Sequence, residues 1–229
     1  MTANTESRFR YPHRPIWVRA LNLLVHHAPL RPRYGHNSIL MRRALCDDDM
    51  GFPPGGNAGV REATRHDLEH MINHAEALPR SVYATRLAHG DRCFCLVAGS
   101  EVRSFNWVTH DRACVMRGFE NAIDFLDLTP DQAFTYDFYT YTACRGRGAG
   151  RDLKRGIIAA LAREGGREVL SLVRPESPAS LHLHVSLGYQ PDCSVYGYRL
   201  GSWQHTFFSP CPSRSQLQAW ARDAVPTGG

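Results

Sequence analysis

The spacing of apolar and polar positions changes along the chain, and each change marks an element. Residues 134–142 (Phe-Thr-Tyr-Asp-Phe-Tyr-Thr-Tyr-Thr) are dense in aromatic and β-branched side chains and predict a strand. A turn with three glycines follows, Arg145-Gly146-Arg147-Gly148-Ala149-Gly150. Leu153, Ile157 and Leu161 then recur at every fourth position. That predicts a helix from about Arg151 with one apolar face, stopped at Gly165-Gly166. Residues 168–173 (Glu-Val-Leu-Ser-Leu-Val) read as another strand. Ser177 is a good N-cap and Pro178 a good first residue for a helix that Gly188 ends.

Upstream, residues 93–98 and 102–108 flank Gly99-Ser100-Glu101 and predict a hairpin. Leu68, Met71, Ile72 and Ala75 mark the buried face of a helix over about residues 65–78, while residues 80–88 fit a helix or a strand. Residues 121–128 could begin the edge of the sheet. Residues 196–208, with Tyr198, Trp203, His205 and Phe207, predict a last pair of strands. A short helix with Leu217, Trp220 and Ala221 is expected in the tail. Cys46-Asp47-Asp48-Asp49-Met50 and the Pro/Gly-dense residues 51–56 read as a linker. The expected division is a basic N-terminal extension and linker over 1–57, a main domain over 58–208 and a tail over 209–229.

Composition refines this picture in a few places. A hydrophobic fraction of 43% in 229 residues supports a real core. The formal charge of +5 comes from arginine, since Lys154 is the only lysine. Up to Leu45 there are eight arginines against one acid, Glu6, and residues 16–25 could form a short apolar helix. This arm either packs on the main domain or docks an acidic partner: an acyl carrier protein, anionic lipid or nucleic acid. No nucleic-acid motif accompanies it, so nucleic acid is not expected. Seven cysteines form no C-x-x-C pair, and Cys93 and Cys95 share one face of a strand as core residues would. A reducing, cytoplasmic compartment is therefore expected. No signal peptide is evident, and no stretch approaches the length of an apolar membrane helix. His66, His70 and His74 recur every four residues opposite the apolar face. Such a pair can chelate a metal, but no Cys or other partner joins them, and a solvated face without metal is expected.

A glycine turn opening a helix presents unpaired backbone amides and the positive end of the helix dipole, which suits a phosphate. A P-loop needs Lys and then Ser/Thr after its last glycine, whereas Arg151-Asp152 follow Gly150. The dinucleotide fingerprint needs G-x-G-x-x-G, and here the spacing is G-x-G-x-G. The pattern R-x-x-G-x-G, Arg145 to Gly150, resembles the pyrophosphate loop of the GCN5-related N-acetyltransferase (GNAT) superfamily. Residues 59–68 look like that family's opening strand and first helix, and residues 168–173 like its fifth strand. Residues 178–189, ending in Gly188-Tyr189, look like its last helix. The resemblance runs from about Gly59 to Leu200.

The resemblance implies an α/β (α+β) fold, with a mixed, mostly antiparallel sheet of about six to seven strands and about four flanking helices. The fourth and fifth strands of that sheet splay apart. It implies transfer of an acetyl group from acetyl-CoA to a small-molecule or peptidic amine, with no metal. Arg145, Gly146, Arg147, Gly148, Ala149, Gly150 and Arg151 would hold the pyrophosphate. The pantetheine arm would lie along Phe138, Tyr139 and Thr140, with Ser180 also at the cofactor. A backbone N–H on that strand would meet the oxyanion. Asp137 would act as base, directly or through water. His184 stands where many members carry the tyrosine that protonates the leaving thiolate, and Pro178 where they carry an asparagine. Asn106, Trp107 and Tyr141 would face the acceptor, with Trp203 and His205 shaping its pocket. Two alternatives stay open: a transferase taking longer acyl chains from CoA or an acyl carrier protein, and a CoA-binding module without turnover.

Overall fold

The structure is a computed structural model that describes residues 34–51, 58–74, 78–110, 128–200 and 203–210. The expected arm helix over 16–25, the segment around 111–127 and the tail helix lie outside these residues. Eight strands form one sheet. They are β1 (Tyr34–Ala44), β2 (Ala58–Glu62), β3 (Arg92–Ala98), β4 (Glu101–Thr109), β5 (Gln132–Thr140), β6 (Glu168–Val173), β7 (Gln190–Leu200) and β8 (Trp203–Pro210). The helices described are α1 (Arg65–Ile72), α2 (Arg80–Ala88), α3 (Ala149–Arg163) and α4 (Pro178–Ser186). The strand order is β2-β3-β4-β5-β6-β1-β7-β8. Every neighbouring pair is antiparallel except β5 and β6. The fold is mixed α/β, as expected.

One expectation is corrected. Residues 34–44 are not part of an arm outside the domain. They form β1, which lies inside the sheet between β6 and β7. Ile39, Leu40 and Met41 are each at most 1% exposed. Ile39 and Met41 join the core beneath α3 and α4, and Leu40 joins the core on the opposite face. Consecutive apolar residues suit a strand buried on both sides. The run Ser38-Ile39-Leu40-Met41 carries that signal, and the arginines around it masked it.

Each face of the sheet has its own core. Met71 of α1 and Tyr83 of α2 pack with Trp107, Phe134 and Tyr136 on one side. Leu153, Ile157 and Leu161 of α3 and Leu181 of α4 pack with Val108, Val169 and Phe94 on the other. Helix α1 starts on a capping box, in which the Thr64 hydroxyl accepts from the Asp67 amide and the Asp67 carboxylate accepts from the Thr64 amide. Burial pushes the Asp67 carboxyl up, but hydrogen bonds from Arg61 and Thr64 outweigh it and hold the group below the ordinary carboxylate range. Residues 80–88 settle as helix. Residues 93–98 and 102–108 fall within the β3–β4 hairpin, as the alternation predicts.

Candidate active site

Strands β5 and β6 part company after a short parallel ladder. Thr135 and Ser171 form its last pair. Beyond it, Leu172 and Val173 of β6 keep only β1, on the other edge, as a ladder partner. Residues 136–140 of β5 continue with β4 as their only ladder partner. The edge of β5 from Tyr136 to Thr140 that faces β6 therefore carries backbone groups outside any ladder, which is the splay the resemblance implies.

A bulge shapes this edge. Phe105 pairs with Tyr139 and Trp107 with Tyr136, so Asp137 and Phe138 stand opposite the single residue Asn106. Asp137 has φ +51°, the one non-glycine residue with positive φ among the described residues. Aspartate tolerates that region better than most residues. The Asn106 side chain holds the bulge, its Nδ2 donating to the Tyr136 carbonyl at 2.6 Å. The bulge also resets the alternation, so Tyr139 and Tyr141 lie on the α1/α2 side with Tyr136.

Asp137 meets Arg86 on that side, with Nη1 donating to Oδ2 at 2.7 Å. Arg86 is fully buried, while the Asp137 side chain is 18% exposed. The guanidinium carbon lies 5.0 Å from the ring centres of both Trp107 and Tyr136, a cation held between aromatic faces. Sequence reading missed Arg86, since α2 was left open between helix and strand. Tyr141 and Tyr139 lie edge-to-face at 5.5 Å, and the His74 ring is 4.2 Å from Tyr141. His66 and His70 are exposed as expected, but His74 is half-buried against this aromatic group.

The glycine turn lies at the far end of β5. Gly146 and Gly148 have φ of +71° and +83°. A Cβ at Gly146 would meet nothing within 4 Å, and one at Gly148 only an Asp152 carboxylate oxygen at 4.0 Å. Gly148 is the N-cap of α3, and no side chain caps the helix. The first-turn amides thus have no side-chain cap, and the glycines leave room beside them, an arrangement that suits a phosphate. Gly150 has a different reason to be glycine: a Cβ there would sit 2.7 Å from the Phe138 ring and 3.2 Å from the Thr140 hydroxyl. Arg147 and Arg151 are exposed beside the cradle. Arg145 instead folds back on β5, its Nε donating to the Thr140 carbonyl at 3.0 Å and its Nη2 to the Tyr139 hydroxyl at 3.2 Å.

Three expectations about the site do not survive the geometry. Asn106 and Trp107 are fully buried, so they do not face an acceptor: one props the bulge and the other packs against Arg86 and Tyr83. His184 is only 1% exposed. Its Nδ1 sits 2.7 Å from the Ser180 carbonyl, which fixes the proton there, and its Nε2 lies 3.2 Å from the Ser171 hydroxyl. Burial, and next the charge of Lys154, lower its pKa to about 3. A neutral ring with both nitrogens engaged is a poor proton donor at neutral pH. The Ser180 hydroxyl turns toward this ring, 3.4 Å from Nδ1.

Solved structures with a similar fold include acetyltransferases of the GNAT family. A GNAT-family protein from Novosphingobium aromaticivorans matches at 14% identity and a TM-score of 0.46, over 72% of this chain and 63% of its own. A GCN5-related N-acetyltransferase from Sphaerobacter thermophilus matches at 14% identity and a TM-score of 0.48, over 83% of this chain and 56% of its own. The ribosomal-protein-S18-alanine N-acetyltransferase from Escherichia coli matches at 18% identity and a TM-score of 0.44, over 58% of this chain and 77% of its own. The chain thus spans less than two thirds of the length of the first two. In sequence, no family model and no curated protein matches.

Among the described residues no helix is long and apolar enough to cross a membrane. No group of three or more His, Cys, Asp or Glu among them could hold a metal ion.

Proposed function

We propose that the chain is a GNAT-type acyltransferase that moves an acetyl group from acetyl-CoA directly to a primary amine. The observation that carries this reading is the joining of two features by one strand. The open edge of β5 runs from the bulge at Asp137 straight to the uncapped, glycine-lined start of α3. A long donor with phosphates at one end and a thioester at the other needs both. The R-x-x-G-x-G sequence at that turn agrees with it.

The chain's residues divide the work along that line. The amides at the start of α3, with Arg147 and Arg151, hold the pyrophosphate. The unpaired backbone of Phe138, Tyr139 and Thr140 takes the pantetheine amides as an added strand. A backbone N–H on the same edge meets the charge that develops on the thioester oxygen. Asp137 faces the α1/α2 side, where Tyr139, Tyr141, Phe105 and His74 give an acceptor an aromatic wall. Its Oδ1 has no protein partner among the described residues, so it is placed to orient the amine and pass its proton to water.

Calorimetric titration with acetyl-CoA tests the donor site. The parent chain is expected to bind in the micromolar range. Gly148→Asn keeps a residue that tolerates positive φ and should bind within about tenfold. Gly148→Asp sets a carboxylate in the cradle and should abolish binding while the protein stays folded. A folded parent that binds no acetyl-CoA would sink the reading.

A further inference from the structure

Lys154 is the only lysine in the chain and it is fully buried. It sits on α3 one turn past Gly150, behind the point where the sheet opens. Its Nζ donates to the Thr135 hydroxyl at 3.0 Å. Thr135 and Ser171 are the last rung before β5 and β6 part, so Lys154 stands at the vertex of the cleft. Phe138, on the open edge, has its ring centre 5.3 Å from Nζ.

The groups that face this position are neutral. From β5 comes Thr135 and from β6 Ser171. From α4 comes His184, and beyond it Tyr189, whose phenol burial pushes up. No carboxylate pairs with Lys154 among the described residues. An ammonium has three donors to satisfy and here finds one acceptor. Burial therefore lowers the Lys154 pKa to about 7.

Strand β5 runs toward the glycine turn and α3 runs back alongside it. A donor held by its phosphates at Gly148 and Gly150, with its arm along Thr140, Tyr139 and Phe138, brings its reacting end to this vertex. Three residues of strand span roughly 10 Å. We propose that Lys154 gives the departing sulfur its proton, the part the resemblance gives to the position of His184. The inference rests on the acyl-transfer reading above. In the step, the acceptor nitrogen bonds to the carbonyl carbon and the carbon–sulfur bond breaks with its electron pair on sulfur. Sulfur takes a proton from Lys154 Nζ. The amine loses one proton to water at Asp137, and Lys154 regains one from water after the thiol leaves.

A single lysine allows a direct test. Full-length protein made with lysine labelled with carbon-13 at Cε should give one resonance, titrating near neutral pH. CoA should move its midpoint, and a CoA analogue lacking the sulfur should not. In turnover, Lys154→Met should lose about a hundredfold in kcat with acetyl-CoA at little change in KM, and its rate should no longer fall on the alkaline side. With the selenium isostere of acetyl-CoA, whose selenolate leaves without help, most of that loss should vanish. A resonance titrating in the ordinary lysine range, or an equal loss with both donors, overturns the role of Lys154 alone. Failure of the wild-type protein to bind or turn over acetyl-CoA overturns the acyl-transfer reading, and this inference with it. Should Lys154→Met not fold, the titration decides by itself.

Discussion

Asp137 combines a carboxylate, a left-handed backbone and a buried cation, and each limits how it can be replaced. Alanine would be strained at φ +51°, by about 1–2 kcal/mol. Asparagine keeps the backbone but takes the Asp137 carboxylate away from the buried Arg86 guanidinium. Asp137→Asn should therefore destabilise by about 2–4 kcal/mol and lower kcat by about a hundredfold. Adding Arg86→Met removes the buried cation between Trp107 and Tyr136 and should restore much of the stability but not the activity. Denaturant midpoints and steady-state rates of the three proteins check this. His184 makes a separate, pH-dependent demand. Its folded-state pKa of about 3 lies below the unfolded value, so the unfolded chain binds the extra proton between the two. Stability is thus full above about pH 6.5 and is lost as pH falls toward 3, by a few kcal/mol. His184→Gln should flatten that acid limb in urea midpoints measured across pH, and its neutral-pH turnover should stay within a few-fold of wild type. Sequence placed Asp137 and His184 correctly in their elements but could not read burial. A histidine on a helix looks the same whether water or Ser171 faces it.

The elements near the site are held by close approaches that leave no room for side chains. At Gly156, in the middle of α3, a Cβ would lie 2.4 Å from the Val60 side chain of β2. Gly156→Ala should push the helix off the sheet and cost about 1–3 kcal/mol. A thermal melt would show it as a lower midpoint. Because α3 also carries the phosphate cradle, acetyl-CoA affinity should fall in the same variant. An unchanged midpoint would mean that β2 yields instead. The position of α3 was legible in the four-residue spacing of Leu153, Ile157 and Leu161. Lys154 fits that pattern less obviously, yet with Ile158 and Leu161 it continues the buried stripe. A lysine in an apolar stripe was the available sign of a special group. The bulge in β5 left no such sign, because strand periodicity assumes one residue for one across a ladder.

For the molecule as a whole, the corrected boundary changes what a truncation means. Ile39, Leu40 and Met41 each gain about 2–3 kcal/mol from burial, and total stability is on the order of 5–15 kcal/mol. Arg42 also ties β1 to both neighbours, at 3.2 Å from Glu168 and from Asp192. Removing residues 1–57 should therefore abolish cooperative unfolding, whereas removing residues 1–33 should leave the melt in place. Circular dichroism on both proteins separates these outcomes, and only the shorter deletion can test whether the basic arm docks a partner. The sheet order escaped sequence reading because pairing partners far apart in the chain leave no local trace. That distance bears on how the protein is made. Arg42 meets Asp192, 150 positions later, so one edge of β1 must wait for β7. By the time the ribosome has added β6, β1 to β6 can assemble, but their sheet then ends in a raw edge at β1 that waits for β7. That interval is when a nascent chain of this topology is most exposed to mispairing and to the chaperones that prevent it.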